Sequence, residues 1–398
     1  MKKTSSKTVL WFSALQFCYW TLSFITDGIY ASFLKNMGYG EAFIGSTLTF
    51  TGLAGLILLP VSGYLADRFS NFRLLTAVSF LLMGGMVPVV QLFGGVPAVV
   101  YAYAVIGGGF TKVTCGMIES WMNKLSKENA ALDYGRVRSV GSISYAVMAA
   151  ALGALFARMG YDVCALLAVL LTALGIFGTL QLQNPAKGQQ QADEAGPTLA
   201  ETLRYLAKNR SYLLFVFCIV LMNVTTQSFF AFFALLVEEV GGSVGTLGFI
   251  YFVLAFLEFW VVRSYSAISR KLGAARTLGI GMTGNFFKSF LFASAASVPQ
   301  LYACSITQCF SFALATPGAP VYLREQVDTR YLATAQLLSQ TLSTSVVPFL
   351  LSGLYGSVAE AQGVRSMIRL FSVPALVGGV LFLLLAARVK NEKKQAAQ

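Results

Sequence analysis

Two stretches at equivalent places in the chain decide its fold. They read GYLADRFSNFR at residues 63–73 and SAISRKLGAAR at residues 266–276. Aligned without gaps, they place Arg68 opposite Lys271 and Arg73 opposite Arg276. Each stretch follows the second apolar segment of its half and precedes the third. This equivalence indicates that the second half of the chain repeats the first.

The composition excludes an ordinary soluble protein. Of 398 residues, 56% are hydrophobic and only 12% are charged, and the mean hydropathy is +0.67. So few charges cannot cover the surface of a water-soluble fold of this length. Twelve apolar segments are each long enough to cross a membrane as a helix. They cover residues 8–34, 42–66, 73–93, 97–122, 138–158, 162–183, 211–236, 244–265, 275–296, 298–322, 332–356 and 366–387.

The connections between these segments alternate in charge, which predicts their orientation. Most of the 29 basic residues lie in every second connection and at the two termini. The positive-inside rule therefore predicts that both termini are cytoplasmic. Because the net charge of +12 is spread over segment ends, it does not indicate a nucleic-acid partner.

The longest polar connection divides the chain into two six-span halves. We predict an N-terminal bundle at 1–183, a cytoplasmic linker at 184–209, and a C-terminal bundle with a short basic tail at 210–398. From Thr198 onward the linker predicts an amphipathic helix on the cytoplasmic face.

Two six-helix halves related in this way resemble the major facilitator superfamily. The stretch at 63–73 is similar to its loop signature G-x-L-x-D-R-x-G-x-R, with Ser70 where the family has glycine. The resemblance implies a cytoplasmic latch that holds the outward-facing state; the alternative is a solvated loop with ordinary positive-inside charges. The latch residues would be Gly63, Asp67, Arg68 and Arg73, with Lys271 and Arg276 as their counterparts in the second half.

A second resemblance covers ESWMNKLSKENAALDYGRVRSVGSISYA at 119–146. This stretch is similar to the span 4 to span 5 region of the proton-coupled oligosaccharide symporters, the lactose permease-like branch with nucleoside and aromatic-acid relatives. The family motif there is a glutamate, a short basic loop and then [FY]-G-R-x-R-x-x-G-[CS], which Tyr134, Gly135, Arg136, Arg138, Gly141 and Ser142 match. The resemblance implies that Glu119 and Arg138 are a charged pair that binds substrate hydroxyls. It places Tyr145 where an aromatic residue stacks on a sugar ring, although Tyr145 could equally be a packing residue.

Charges inside the predicted spans point to a polar cavity. Three acidic and three basic residues balance there, and an ionisable residue at this depth is a functional-site hypothesis by default. They are Asp27, Lys112, Glu119, Arg138, Glu258 and Lys288. Structural salt bridges are the alternative. Together with polar residues on the same helix faces, they predict a substrate site at the axis between the halves. That predicted site comprises Trp20, Lys112, Glu119, Arg138, Ser142, Tyr145, Asn223, Gln227, Gln308, Gln336 and Gln340. For the glutamine-rich stripe of span 11, helix-packing hydrogen bonds are as good an explanation.

Proton coupling must differ from the lactose permease-like pattern. The chain has no histidine, and Gln308 and Ser311 occupy the places of the family's span 10 histidine and acidic residue. We expect Glu258 to carry the coupling proton, with Asp27 as the second candidate and Lys288 completing the charge network.

These observations predict a secondary transporter that imports a small polar organic solute with protons by alternating access. No GxxxxGK[ST] motif occurs, so a nucleotide-driven pump is disfavoured. Efflux by proton antiport and proton-independent facilitation remain alternatives. An enzyme is disfavoured because no Ser/His or metal-binding constellation exists, and no metal or cofactor is expected. The expected partners are the solute, protons and the bilayer of the plasma (bacterial inner) membrane, and the resemblance implies a monomer.

Overall fold

The structure, a computed structural model, describes residues 2–69, 71–128, 132–185 and 198–395. Within these ranges the regular elements are all helical. The first half contains α1 (Lys2–Ser23), α2 (Tyr30–Asn36), α3 (Glu41–Phe69), α4 (Phe72–Phe93), α5 (Pro97–Ala102), α6 (Gly109–Glu128), α7 (Tyr134–Met159) and α8 (Cys164–Gln181). The rest of the described chain contains α9 (Leu199–Lys208), α10 (Arg210–Glu239), α11 (Val244–Leu272), α12 (Ala274–Ser294), α13 (Val298–Cys304), α14 (Phe312–Gln326), α15 (Thr329–Thr341), α16 (Val347–Gln362) and α17 (Val364–Gln395).

Ten helical stretches of the described residues are long and apolar enough to cross a membrane. The other two predicted spans, 275–296 and 298–322, are also largely helical. The first corresponds to α12, whose buried Asn285 and Lys288 lower its mean hydropathy. The second is interrupted at Ser311, between a 3₁₀ segment and α14. Twelve crossings and the cytoplasmic termini therefore stay predictions.

The outer surface is suited to lipid. Large apolar side chains are exposed along many helices, among them Leu92 (75%), Leu350 (64%) and Leu384 (61%). A soluble protein of this size would not expose such extended apolar surface. Since helices satisfy their own backbone hydrogen bonds, such a surface is stable in a bilayer.

Three short π-helical segments interrupt the long helices of the described residues. They are Phe24–Gly28, Tyr103–Gly108 and Leu342–Val346. A π segment shifts the hydrogen-bond register, and such segments are frequent at functional sites. Asp27, the second candidate for proton coupling, lies in the first of them. Thr344, whose carbonyl accepts a hydrogen bond from Lys112, lies in the third.

The two halves of the chain approach each other closely where glycines face backbone. Helix α3 packs on α16, and α7 packs on α11. A Cβ added at Gly45 would overlap the Ser352 carbonyl, and one added at Gly248 would overlap the Ala149 carbonyl. We call this region, with Gly45, Gly52, Gly153, Gly248 and Gly356, the glycine seam. It lies at the end of α3 opposite to Arg68.

Two hydrogen bonds reinforce the glycine seam. The Gly353 amide donates to Thr49 Oγ1 over 2.9 Å. The Ala42 amide, at the start of α3, donates to Glu360 Oε2 over 2.8 Å. A carboxylate is stabilising at a helix N-terminus because backbone N–H groups are unpaired there. The second half of the chain thus caps a helix of the first.

The predicted linker helix is confirmed as α9. Thr198 caps it through a reciprocal capping box with Glu201, whose N–H donates to Thr198 Oγ1 over 3.3 Å. The hydrogen bonds from Thr198 hold the pKa of the exposed Glu201 carboxyl below its ordinary value. Tyr205 stacks on Tyr331 at 4.2 Å between ring centroids. The helix is thereby attached to the beginning of α15.

Candidate functional site

Glu119 of α6 and Arg138 of α7 form an ion pair. Arg138 Nε donates to Glu119 Oε1 over 2.8 Å, and both side chains are 30% exposed. The Arg138 guanidinium lies 4.6 Å above the centre of the Trp20 ring. Trp20 Nε1 donates to Gln16 Oε1 over 2.9 Å, which fixes the ring. The structure therefore brings together the pair predicted from the sequence and adds an aromatic surface under the arginine.

An aromatic cluster continues from Trp20 toward the second half of the chain. Trp20 and Tyr145 have ring centroids 5.9 Å apart in an edge-to-face arrangement. Tyr145 then contacts Tyr251 of α11 at 5.7 Å. Phe24 contacts both tyrosines. The predicted aromatic residue Tyr145 thus lies where the halves meet, beside the charged pair.

Gly141 explains why the motif requires glycine in α7. A Cβ at this position would overlap the indole ring of Trp20. Gly141 therefore lets α1 and α7 approach closely enough for Trp20 to reach Arg138. The side chains of the other motif residues at 134–136 lie outside the described part of the structure.

Gln308 bridges two charges of the second half. Its Nε2 donates to Glu258 Oε2 over 3.0 Å, and its Oε1 accepts from Lys288 Nζ at 3.4 Å. Gln308 is 2% exposed and Lys288 is fully buried. The amide therefore keeps the carboxylate and the ammonium apart while bonding to both. This is a bridge and not a direct ion pair.

Lys288 is surrounded by aromatic rings. Its Nζ lies 5.0, 4.7 and 5.6 Å from the ring centres of Phe229, Phe230 and Phe312. Ring faces attract a cation, and the attraction is stronger where water is excluded. The three phenylalanines thus compensate part of the cost of burying the ammonium. The sequence prediction did not include them.

Asp27 and Lys112, the third pair of opposite charges, form no ion pair among the described residues. Lys112 Nζ donates to the carbonyl oxygen of Thr344 over 2.8 Å, which links the first half of the chain to the second. The Asp27 carboxylate is exposed, and its described hydrogen bond is from Ser23 Oγ at 3.4 Å. This distance is long for a hydroxyl bonded to a carboxylate.

The predicted polar residues of spans 7 and 11 contact each other. Asn223 Nδ2 donates to Ser343 Oγ over 3.1 Å, and Gln227 Nε2 reaches the Ser343 carbonyl at 3.4 Å. These bonds join α10 to the π segment after α15. Gln336 is half-buried and Gln340 is exposed. Ser142, also exposed, lies one turn beyond Arg138.

The described latch residues contact their own half of the chain. Arg68 Nη1 donates to Tyr64 Oη over 2.6 Å, and Arg73 Nη2 donates to the Leu180 carbonyl. Gly63 has open space around it. The Asp67 side chain lies outside the described residues. Their counterparts Lys271 and Arg276 are exposed.

Two residues that shape the candidate site could not be predicted, because nothing in the sequence around them indicates their role. Thr344 acts through a main-chain carbonyl, which its side chain does not predict. Gln16 reads as an ordinary polar residue of span 1, yet it orients Trp20. The contribution of Gly141 could have been predicted, because this residue belongs to the motif whose other residues were assigned to the site.

Two comparisons of sequence and fold define the class of this protein. The MFS_1 like family matches residues 86–370, more than half of the chain, and the chain belongs to this family. It is a multi-pass membrane protein with the major facilitator fold; in bacteria such a protein lies in the inner membrane. The predicted family resemblance is thereby confirmed.

Relatives with curated names are distant. The maltose permease of Geobacillus stearothermophilus is 23% identical over 261 residues, which are 65% of this chain and 64% of that protein. The probable 3-phenylpropionic acid transporter of Escherichia coli K12 is 22% identical over 75% of this chain and 79% of its own length. The crystal structure of the nucleoside transporter NupG superposes with a TM-score of 0.79 at 17% identity, covering 96% of this chain and 98% of that one.

Proposed function

We propose that this protein is a proton symporter that imports a small polar organic solute, such as a sugar, a nucleoside or an aromatic acid, by alternating access. The solute binds between two six-helix bundles, residues 1–183 and 210–398, which residues 184–209 connect. All twelve predicted segments cross the membrane, and both termini are cytoplasmic. The protein works as a monomer in the plasma membrane, without a metal or cofactor.

The Glu119–Arg138 ion pair is the observation that carries this proposal. A carboxylate and a guanidinium together offer acceptors and donors to vicinal hydroxyl groups, which suits a sugar or a ribose. Trp20 and Tyr145 supply aromatic surface beside the pair. The names of the relatives support the same range of solutes, since they include a maltose permease and a probable 3-phenylpropionic acid transporter.

The position of the glycine seam supports alternating access. With the positive-inside orientation, Arg68 and Arg73 are cytoplasmic and the seam is at the outer side. The present arrangement is then closed to the outside. Import requires the seam to open and the opposite ends of the bundles to close, where Gly63, Asp67, Arg68, Arg73, Lys271 and Arg276 act as the latch.

Proton coupling is assigned to Glu258, with Asp27 second. Glu258 is bonded through Gln308 to Lys288, so a change in its protonation alters the whole charge network. Binding of solute that disturbs this network couples proton uptake to transport. A proton-independent facilitator is the alternative that one observation favours, because Gln308 cannot exchange a proton as a histidine in its place would.

Uptake into proteoliposomes tests the proposal. Labelled maltose, uridine and 3-phenylpropionate are supplied with and without an inward proton gradient. Accumulation of at least one solute only with the gradient supports the symporter. Equilibration without accumulation identifies a facilitator. Uptake of none of them, with loss of preloaded solute driven by the gradient, identifies efflux and contradicts the proposal.

A further inference from the structure

We propose that Asp27 and Lys112 form a second ionic subsite, at which a proton and the carboxylate of a monoanionic solute bind together. The inference rests on the proposed transport function. It specifies the charge of the substrate and, for a monoanionic substrate, assigns the coupling proton to Asp27 instead of Glu258. It is carried by one contrast: the members of the other two charge pairs are bonded to each other or to a shared glutamine, whereas Asp27 and Lys112 are not bonded in this way.

The members of the other two charge pairs already have partners within the protein. Glu119 and Arg138 bond directly over 2.8 Å. Glu258 and Lys288 are both bonded to Gln308. Among the described residues, neither Asp27 nor Lys112 takes part in an ion pair. An unpaired carboxylate and an unpaired ammonium at membrane depth are costly, and they persist where they have a function.

Asp27 is exposed although the residues next to it are buried. Its neighbours in the π segment, Phe24, Ile25, Thr26 and Gly28, are buried, whereas its own side chain is exposed. The titratable groups within electrostatic range come from both halves: Tyr19, Tyr30, Tyr103, Lys112, Tyr145 and Tyr251. Tyrosine side chains are neutral at physiological pH. Lys112 is therefore the one ion in this set that compensates the carboxylate.

Lys112 offers donors to an acidic group. One N–H of its ammonium bonds to the Thr344 carbonyl, which leaves two donors of the three. Its side chain is partly exposed. A Cβ at Gly55 would lie 2.8 Å from Lys112 Cδ, so the glycine makes room for the aliphatic part of the lysine. The ammonium is thus held at the boundary between the two halves.

The charges of this subsite determine in which binding states the protein can carry the solute across the membrane. When it is empty, the ionised Asp27 and Lys112 sum to zero. When a proton from water binds an Asp27 carboxylate oxygen and a monoanion binds Lys112, the sum is again zero. With the proton alone or the anion alone, one charge is uncompensated inside the membrane, which is unfavourable. The subsite therefore favours electroneutral movement of one proton with one monocarboxylate.

Binding to the purified, full-length protein in weakly buffered detergent solution tests the subsite. The probes are matched in shape: 3-phenylpropionate with 3-phenylpropanamide, and glucuronate with glucose; phenylalanine adds a zwitterion. We expect an anion to bind more tightly than its neutral partner, with uptake of one proton measured by a pH indicator. Tighter binding of a neutral probe or of phenylalanine, or binding of no probe, overturns the inference.

Substitutions separate the two roles. Lys112→Met should weaken anion binding about 10- to 100-fold, the effect of losing a hydrogen bond to a charged group. Lys112→Arg, which keeps the charge, should bind the anion, and Lys208→Met on exposed α9 is the matched lysine control. Asp27→Asn should bind the anion without proton uptake. Unchanged anion binding in Lys112→Met, or unchanged proton uptake in Asp27→Asn, contradicts the subsite.

Transport distinguishes this inference from the function on which it rests. In proteoliposomes, uptake of the anion should respond to a pH gradient and not to a potassium diffusion potential. Accumulation of maltose or uridine with no competition by the anions would retain the transporter and remove the subsite. Proton-linked anion binding without any transport would retain the subsite and contradict the proposed function.

Discussion

Arg138 is held between a carboxylate and an aromatic ring: its Nε lies 2.8 Å from Glu119 Oε1, and its guanidinium lies 4.6 Å from the centre of Trp20. Both members of the ion pair are partly exposed, so water and a solute can reach them. The pair is therefore positioned to exchange part of its hydrogen bonding for a solute. The planar guanidinium suits both contacts at once.

Arg138→Lys should weaken solute binding, because lysine does not fulfil the role of this arginine. Lysine keeps the positive charge but cannot form the planar contact with Trp20 and a directed bond to Glu119 together. We expect about 10-fold or more weaker solute binding from the loss of these contacts, and a similar loss for Glu119→Gln. Equilibrium binding of the solute identified in proteoliposomes measures both. Affinity like that of the unmodified protein would contradict a binding role for the pair.

Glu258→Gln should abolish proton-driven accumulation of a neutral solute and spare its exchange. The amide keeps the size of the side chain and can still bond to Gln308, but it cannot take up the coupling proton. Accumulation with a pH gradient and solute exchange without one are measured in the same vesicles. Accumulation that remains unchanged excludes Glu258 as the coupling residue and leaves Asp27.

Gln308→Leu should slow uptake through its effect on Glu258. The leucine removes both amide contacts, so Lys288 and Glu258 lose the group that joins them. We expect slower uptake in this variant and little additional loss when it is combined with Glu258→Gln, because contacting residues in one network are not additive. Initial uptake rates of the two single variants and the double variant form the test. Fully additive losses would mean that Gln308 acts independently.

Gly356→Val should prevent closure of the glycine seam. A Cβ at Gly356 would overlap the Glu41 carbonyl and lie 2.8 Å from Gly45 Cα, so the helices must separate. Spin labels at the exposed positions Asn36 and Gln362, in a background without native cysteines, should report a longer distance. Gly85→Val is the matched control, since its nearest neighbour is Leu81 Cδ1 at 3.9 Å. Equal distances in both variants would contradict the seam.

Thr198→Ala should loosen the linker helix α9. The substitution removes the side chain that accepts from the Glu201 amide, and capping residues of this type stabilise helix ends. Hydrogen exchange of residues 199–208 should become faster. Because the pKa of Glu201 is lowered in the capped helix, its contribution is present above the ordinary glutamate pKa and is lost as pH falls. Exchange protection should therefore decrease on acidification, less so in Glu201→Gln.

The amino-acid sequence determined the class of protein, and it predicts an internal repeat. Apolar segment length depends on local composition, and the equivalence of 63–73 with 266–276 depends on residue order alone. The pairing of Glu119 with Arg138 could be inferred because a motif joins the two residues within one stretch of the chain. These features need no knowledge of how distant helices pack.

The tertiary structure decided which charges are paired and which remain open. The sequence placed Lys288 beside Glu258 in one network, but it could not reveal that Gln308 separates them. It gave no indication that Lys112 bonds to a main-chain carbonyl 232 positions away in the chain. Such contacts join helices that are remote in sequence, and their partners include backbone atoms common to all residues. They arise only when packing fixes the distance and direction between those helices.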